Sequence, residues 1–437
     1  MGKFGLMAGT AAIAMFAASG ANAAVNSGAG ATTVVYQPSN QVQLAQADMP
    51  SSNADLEARI SALEAEVQDS EMRAAQAANA APPPPPSGWW SNTSVSGRMY
   101  FDVTNISNKA NGARVTTATN GANGVTNGNG TNFDVKRFYI GVDHTFNDTY
   151  SANVTTDTTY DGTTGAGQIY LKKAYLQAKY DPAFIVRLGS ADLPWVPYVE
   201  SLYGYRYLEL TLIDRTKYGT SADWGVHVLG TLFDGILNYQ LSAVNGGGYK
   251  KTPIGADANR FNTMDFEGRI SAVYQGFNLA IGGYTGKLGT ASGTPTVKTA
   301  ERFDVLGAYV ANGLRVGVEY FSANNINNGD TLANTPLGEG ANGVSGFASY
   351  SFLPEWAVFG RYDSVNPKTK TAPLTNDNYY TVGITYSPIK IVDFSLAYKH
   401  DSVGHGTINT ANGNLGSATG LMTGSYNEVG LWGDFQW

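Results

Sequence analysis

Val95-Ser96-Gly97-Arg98-Met99-Tyr100-Phe101-Asp102-Val103 alternates along its length. Val95, Gly97, Met99, Phe101 and Val103 are apolar or small, whereas Ser96, Arg98 and Asp102, with Ser94 before them, are polar. A period of two puts the two sets on opposite faces of a β-strand. One face suits hydrocarbon and the other water, which predicts a wall between lipid and a wet lumen. The pattern recurs through much of Thr93 to Trp437 in segments of about ten residues, the length a tilted strand needs to cross a bilayer. Phe138, Ile140 and Val142 oppose Arg137, Tyr139 and Asp143, and Ala174, Leu176 and Ala178 oppose Lys173, Gln177 and Lys179. Leu314, Val316, Val318 and Tyr320 oppose Arg315 and Glu319, and Val392, Phe394, Leu396 and Tyr398 oppose Asp393, Ser395 and Lys399.

Working outward from the strands, the connections alternate in length. Short turns fall at Asn147-Asp148, Asp181-Pro182, Phe233-Asp234-Gly235, Gln275-Gly276, Asn312-Gly313, Leu353-Pro354 and Ser387-Pro388. Long loops, mostly rich in Gly, Asn and Thr, lie between them. Seven turns and eight loops join about sixteen strands, an even number that returns both chain ends to one side. Aromatic pairs such as Tyr180 and Phe184, or Phe352 and Trp356, flank the short turns and predict a girdle at one membrane interface. The expected fold is therefore all-β, a transmembrane antiparallel barrel of about 16 strands, preceded by a short periplasmic α-helical coiled coil.

Five segments are expected. Residues 1–23 carry Lys3, a small apolar run and an Ala21-Asn22-Ala23 end, the pattern of a secretory signal peptide. Residues 24–51 are polar and aperiodic, a flexible segment. Residues 52–80 place Leu56, Ile60, Leu63, Val67, Ser70, Ala74 and Ala77 at steps of four and three, a short heptad repeat. Residues 81–90 hold Pro82 to Pro86, which cannot continue a helix. Residues 91–437 form the barrel. The absence of Cys excludes disulfides and thiolate metal sites, and a net charge of -7 argues against nucleic acid as a partner.

The stretches Val95 to Phe101, Val135 to Val142 and Leu171 to Gly189, together with the final strand, resemble Gram-negative trimeric porins. Within them the likeness is to those with an N-terminal coiled coil, including relatives of the phosphate-selective porin O and P family. The final strand alternates Val429, Leu431, Gly433, Phe435 and Trp437, and the resemblance implies that Leu431, Phe435 and Trp437 are the signal read by the barrel-assembly machinery. Most members end in Phe, so Trp437 is a departure. The resemblance also implies a homotrimer in the outer membrane of a Gram-negative bacterium, in contact with outer-membrane lipid and lipopolysaccharide. Its expected function is passive diffusion of small hydrophilic solutes and ions.

The third outer loop, Ser190 to Thr220, differs in kind. It carries Leu193-Pro194-Trp195-Val196-Pro197-Tyr198 and then Tyr203, Tyr205 and Tyr207, a composition built to pack. In the family resembled, this loop folds inward and narrows the lumen, with basic wall residues facing acidic loop residues. Carried onto this chain, the basic wall is Arg98, Arg137, Lys173 and Arg187, and the loop acids are Asp192, Glu200, Glu209 and Asp214. Charges at a narrow, partly desolvated gap select solutes by sign and size. The bland alternative is that these residues solvate the lumen and pair with neighbours such as Asp102 and Asp143. Arg269, Arg302, Arg315 and Arg361 alternate with Glu267, Asp304, Glu319 and Asp363, which favours a general pore over a dedicated channel for phosphate or sugars.

Two other classes compete. An outer-membrane barrel enzyme would need a site, yet of His144, His227, His400 and His405 only His227 falls inward and mid-barrel, and no nucleophile or metal motif accompanies it. No catalytic, cofactor-binding or metal residue is expected, and no cofactor. A tether is the other class, with the coiled coil reaching the cell wall. Ile60 and Val67 at one core position with Leu56 and Leu63 at the other favour two strands in free peptides, against the trimer implied by the resemblance.

Overall fold

The computed structural model describes residues 53–79, 88–114, 129–160, 166–250, 263–289, 298–326, 340–368, 374–416 and 423–437. The expected leader, the segment 24–51 and residues 81–87 of the linker lie outside them. The chain divides into two units, Met1–Pro83 and Pro84–Trp437.

In the first unit, α1 spans Asn53–Asn79. Ile60, Leu63 and Val67 of its apolar seam are exposed, and Asp69 pairs with Arg73 one turn on at 2.7 Å. Among the described residues no helix is long and apolar enough to cross a membrane, which says nothing about strands.

The second unit is a closed barrel of sixteen antiparallel strands. They are β1 Thr93–Ala110, β2 Gly130–Thr145, β3 Tyr150–Tyr160, β4 Gly167–Asp181, β5 Phe184–Asp192, β6 Ala222–Leu232, β7 Leu237–Val244 and β8 Asp265–Tyr274, followed by β9 Phe277–Gly286 and β10 Ala300–Ala311. The remainder are β11 Leu314–Asn324, β12 Gly340–Leu353, β13 Trp356–Lys368, β14 Asn376–Ile389, β15 Val392–Gly404 and β16 Gly424–Gln436. Each pairs with its sequence neighbours, and β1 closes on β16 from Arg98 opposite Gln436 to Ala110 opposite Gly424. Closure leaves no unpaired edge, a condition for a sheet in hydrocarbon.

Turn chemistry explains the tight ends. Gln275-Gly276 and Asn312-Gly313 both have positive φ at both positions, 48° and 87° in the first and 53° and 75° in the second, the primed turn that matches strand twist. The turn expected at Ser387-Pro388 lies three residues later, at Lys390-Ile391, because a register shift between Tyr386 and Ile389 extends β14. Leu241, Ile281, Val318, Val382 and Leu396 point outward and are exposed, as a lipid-facing surface requires. Near the short turns Phe277 meets Tyr309 at 4.9 Å and Trp356 meets Tyr386 at 4.7 Å between ring centroids.

Two register shifts bear on the lumen. Tyr100 pairs with Arg137 but Phe101 with Val135, so Lys136 is an extra residue in β2. Thr155 pairs with Lys173 but Thr156 with Leu171, so Lys172 is an extra residue in β4. A bulge breaks the period of two locally, and each one brings two consecutive cations to the inner face.

Candidate functional site

The connection from β5 to β6 folds into the barrel. Its helix α2, Val196–Tyr203, begins with Pro197 in its first turn and ends at Gly204, whose φ of 81° is left-handed. A four-residue turn, α3, follows at Leu212–Arg215. Trp195 is fully buried; its backbone N–H donates to Glu267 at 3.0 Å and its indole N–H to Glu319 at 2.8 Å. The ring lies over Gly282, where a Cβ would come within 2.5 Å of it, so that wall position admits only glycine. Tyr205 stacks on Phe359 at 4.3 Å, Tyr203 meets Phe347 edge-on at 5.6 Å, and Tyr207 shares a hydrogen bond with Ser395 at 2.6 Å. Burial pushes the Tyr203 phenol up to about 12.

Cations of the far wall hold the loop's backbone. Arg269 donates to the carbonyl of Pro194 at 2.8 Å and Arg302 to that of Tyr218 at 2.9 Å. Arg315 reaches Ser201 and Leu202 at 3.2 Å each, Arg361 reaches Leu210 at 2.5 Å, and Lys399 reaches Leu208 at 2.6 Å. Hydrogen bonds from charged donors contribute about 1.5–3 kcal/mol each. Neighbouring carboxylates balance several of these donors, among them Asp304 and Glu267 for Arg302, Asp363 for Arg361, and Glu428 for Lys399. Arg269, Arg302, Arg315 and Arg361, whose alternation with acids reads in the sequence as the lining of a general pore, are clamps on the loop.

The opposite wall, β1 to β5, keeps its inner face towards water. Side chains of Arg98, Lys136, Arg137 and Lys173 are 22–39% exposed, against 2% or less for Arg302, Arg361 and Lys399. Arg98 pairs with Asp434 at 2.5 Å, Lys136 with Asp102 at 3.0 Å, Arg137 with Asp157 at 2.7 Å and Lys173 with Asp192 at 2.6 Å. Arg187 donates to Gln177 at 2.8 Å and lies 5.0 Å above the Tyr175 ring. Lys172 is buried and makes no ion pair among the described residues; its ammonium sits 4.8 Å from the centre of the Tyr139 ring.

The four basic residues expected from the sequence are therefore on one wall, joined by Lys136 and Lys172. A strict period of two sends one member of each pair, Lys136-Arg137 and Lys172-Lys173, into lipid. The doubled cation in a membrane strand was itself the signal for a bulge.

The four acids are dispersed. Asp192 is the last residue of β5 and neutralises Lys173 on the same wall. Glu200 pairs with Arg206 within the loop, and burial, which opposes the Arg206 charge, is outweighed by Glu200 together with Tyr139 and Tyr100, so its pKa stands well above the usual value. Glu209 is buried on the hidden side of the loop, 3.7 Å from Lys399. Asp214 is half-buried in α3. On the wall of β1 to β5, Arg98, Lys136, Arg137 and Lys173 each have a carboxylate partner, and Lys172 and Arg187 form no ion pair among the described residues.

His227 is buried and shares a hydrogen bond with Ser242 at 2.9 Å. Among the described residues no group of three or more His, Asp or Glu is placed to hold a metal ion.

The barrel is similar to solved structures of three outer-membrane proteins. An anion-selective porin of Comamonas acidovorans matches at 13% identity, with 78% of this chain and 99% of that chain covered and a TM-score of 0.54. The outer membrane channel DcaP of Acinetobacter baumannii matches at 13% identity over 79% and 97%, with a TM-score of 0.54. OmpT, an outer membrane protein of Vibrio cholerae, in a trimer form, matches at 14% identity over 79% and 99%, with a TM-score of 0.51. At such identities the likeness establishes the fold, a porin-type barrel. No protein-family model matches the chain, and no curated protein matches it in sequence.

Proposed function

We propose that the chain is a channel of the Gram-negative outer membrane through which small hydrophilic solutes and ions diffuse passively, and that it works as a homotrimer. The observation that carries this is the lumen itself: a loop is clamped to one wall by Arg269, Arg302, Arg315, Arg361 and Lys399, while a hydrated basic wall stands free. A fixed obstruction sets a size limit, and the open side gives solutes a polar path. Porin and channel folds among the similar structures support the reading. So does the trimer form of one of them.

In this reading Arg98, Arg137, Lys173 and Arg187, with Lys136 and Lys172, form the basic side of the constriction. Glu200 and Asp214 border it from the loop, whereas Glu209 and Asp192 are committed to Lys399 and Lys173. Leu431, Phe435 and Trp437 act as the assembly signal, the segment 1–23 is a cleaved leader, and α1 trimerises in the periplasm or reaches the cell wall. Nothing in this reading calls for chemistry at His227.

Lys172 and Arg187, which form no ion pair among the described residues, favour a second, narrower reading: a channel with a preference for anions such as phosphate. Single-channel conductance in a planar bilayer, with reversal potential under a salt gradient, tests both readings. Long-lived openings in threes with anion preference support them; no conductance from assembled protein would sink the channel.

A further inference from the structure

The guanidinium of Arg215, at the end of α3, has no exposure to solvent and touches three carboxylates from three consecutive strands. Its Nε lies 3.0 Å from Asp363 on β13, Nη2 lies 2.6 Å from Asp377 on β14, and Nη1 lies 2.9 Å from Asp401 on β15. The ring of Tyr379 is 4.6 Å from it. Here the polarity is reversed relative to the family pattern, with a basic loop residue and an acidic wall. No cation of this reach is needed for a barrel to stand, since the strand ladders supply its closure.

What sits on Arg215 is the last outer connection. Its described part forms a small hairpin, Thr407–Thr410 paired with Gly413–Gly416, and Ile408 and Leu415 are buried. Ala411 at its tip donates to the carbonyl of Arg215 at 2.8 Å, and Asn412 donates to Asp401 at 3.3 Å. The stem needs its glycines: Gly416 has a φ of 89°, and a Cβ there would lie 2.0 Å from the carbonyl oxygen of Gly406. One arginine side chain therefore joins the inward loop to the wall, while its carbonyl and its Asp401 partner seat the hairpin tip.

We infer that Arg215 is a positioning residue that locks the hairpin Thr407–Gly416 onto the inward loop, making the hairpin a second, fixed boundary of the solute path; the inference rests on the channel reading above. Solute size is then limited at two levels, by the loop and by the hairpin over it. Asp363 keeps Arg361 at 2.7 Å, but loss of the guanidinium leaves Asp377 and Asp401, both buried, without a counter-ion, so the local structure must open to let water reach them.

The test uses the full-length protein, with limited proteolysis in detergent read at residues 405–416 beside single-channel recording. In the native chain the hairpin should resist cleavage. Arg215→Ala should be cut about ten-fold faster there, and Arg215→Lys, which keeps the charge but not the three-way fork, should fall between the two. Replacing Ile408 to Leu415 by a short Gly-Ser turn with Arg215 intact should raise conductance about two-fold. If Arg215→Ala fails to assemble, the shortened hairpin decides. Unchanged conductance on shortening, or unchanged cleavage in an assembled Arg215→Ala, overturns the inference. A native chain that conducts nothing removes the channel reading, while the proteolysis still reads the lock separately.

Discussion

The indole of Trp437 fills the space above Gly97: a Cβ at Gly97 would stand 2.0 Å from the ring. The two backbones also exchange hydrogen bonds, Gly97 N–H to the Trp437 carbonyl at 3.0 Å and Trp437 N–H to the Gly97 carbonyl at 3.1 Å. Phe138 packs on the same indole at 5.7 Å between centroids. The last residue of the chain thus seals the first strand against the last, and an indole fits because position 97 has no side chain.

Gly97→Leu should therefore weaken closure by about 1–3 kcal/mol, the range for overpacking. Gly346→Ala, where nothing lies within 4 Å of the added carbon, is the control and should change stability by less than about 0.5 kcal/mol. The folded fraction on a semi-native gel across temperature reads both. Equal behaviour of the two variants would contradict the seal.

Lys172→Gln should lower the anion-to-cation permeability ratio more than Lys173→Gln does. Lys173 already has Asp192 at 2.6 Å, whereas Lys172 has rings and no carboxylate. Loss of Lys173 lets Asp192 take up a proton and so offset the missing charge, whereas Lys172 has no carboxylate in ion-pair contact that can do the same. Reversal potentials under the same salt gradient compare them, and a larger shift in Lys173→Gln would refute the assignment.

Trp195→Ala should free the inward loop at its first anchor. The cost is about 3–5 kcal/mol for loss of a buried aromatic, and it takes the indole donor from Glu319, while Glu267 keeps the backbone N–H of residue 195. Conductance should rise or become noisy. Steady, native-sized openings from this variant would show that the arginine clamps suffice without Trp195.

Ionic selectivity should fade as salt rises from about 0.1 M to about 1 M, because the screening length drops from about 10 Å to about 3 Å. The hydrated cations of β1 to β5 are open to that screening, with Lys136 and Arg98 more than a third exposed on one side of their pairs. A permeability ratio independent of salt would place the selecting charges in a dry site instead.

The barrel was legible because period two and turn residues act locally. Val95 to Val103 and Gln275-Gly276 carry their own instructions. That the third loop packs was legible in Trp195 and the tyrosines for the same reason, since so many large rings must find cover, whereas its inward direction came only from the resemblance. What local pattern could not reveal is which partner a long side chain finds. Arg361 and Arg98 both read as inward, yet one ends on the carbonyl of Leu210 and the other on Asp434 in a strand 336 residues away. Glu209 reads as a gap acid, and only the path of the loop turns it to Lys399. Lys136 and Lys172 were hidden by the period itself, which a bulge overrides.

The far-wall clamps make the lumen's electrical character a matter of posture rather than inventory. Arg269, Arg302, Arg315, Arg361 and Lys399 have handed hydrogen bonds to backbone carbonyls, so a passing solute does not meet them as free charge. If the same loop leaned on β1 to β5 instead, the identical sequence of wall residues would present the other half of its charges. Selectivity in such a barrel can be rewritten by changing where an obstruction rests, without changing a single ionisable side chain that lines it.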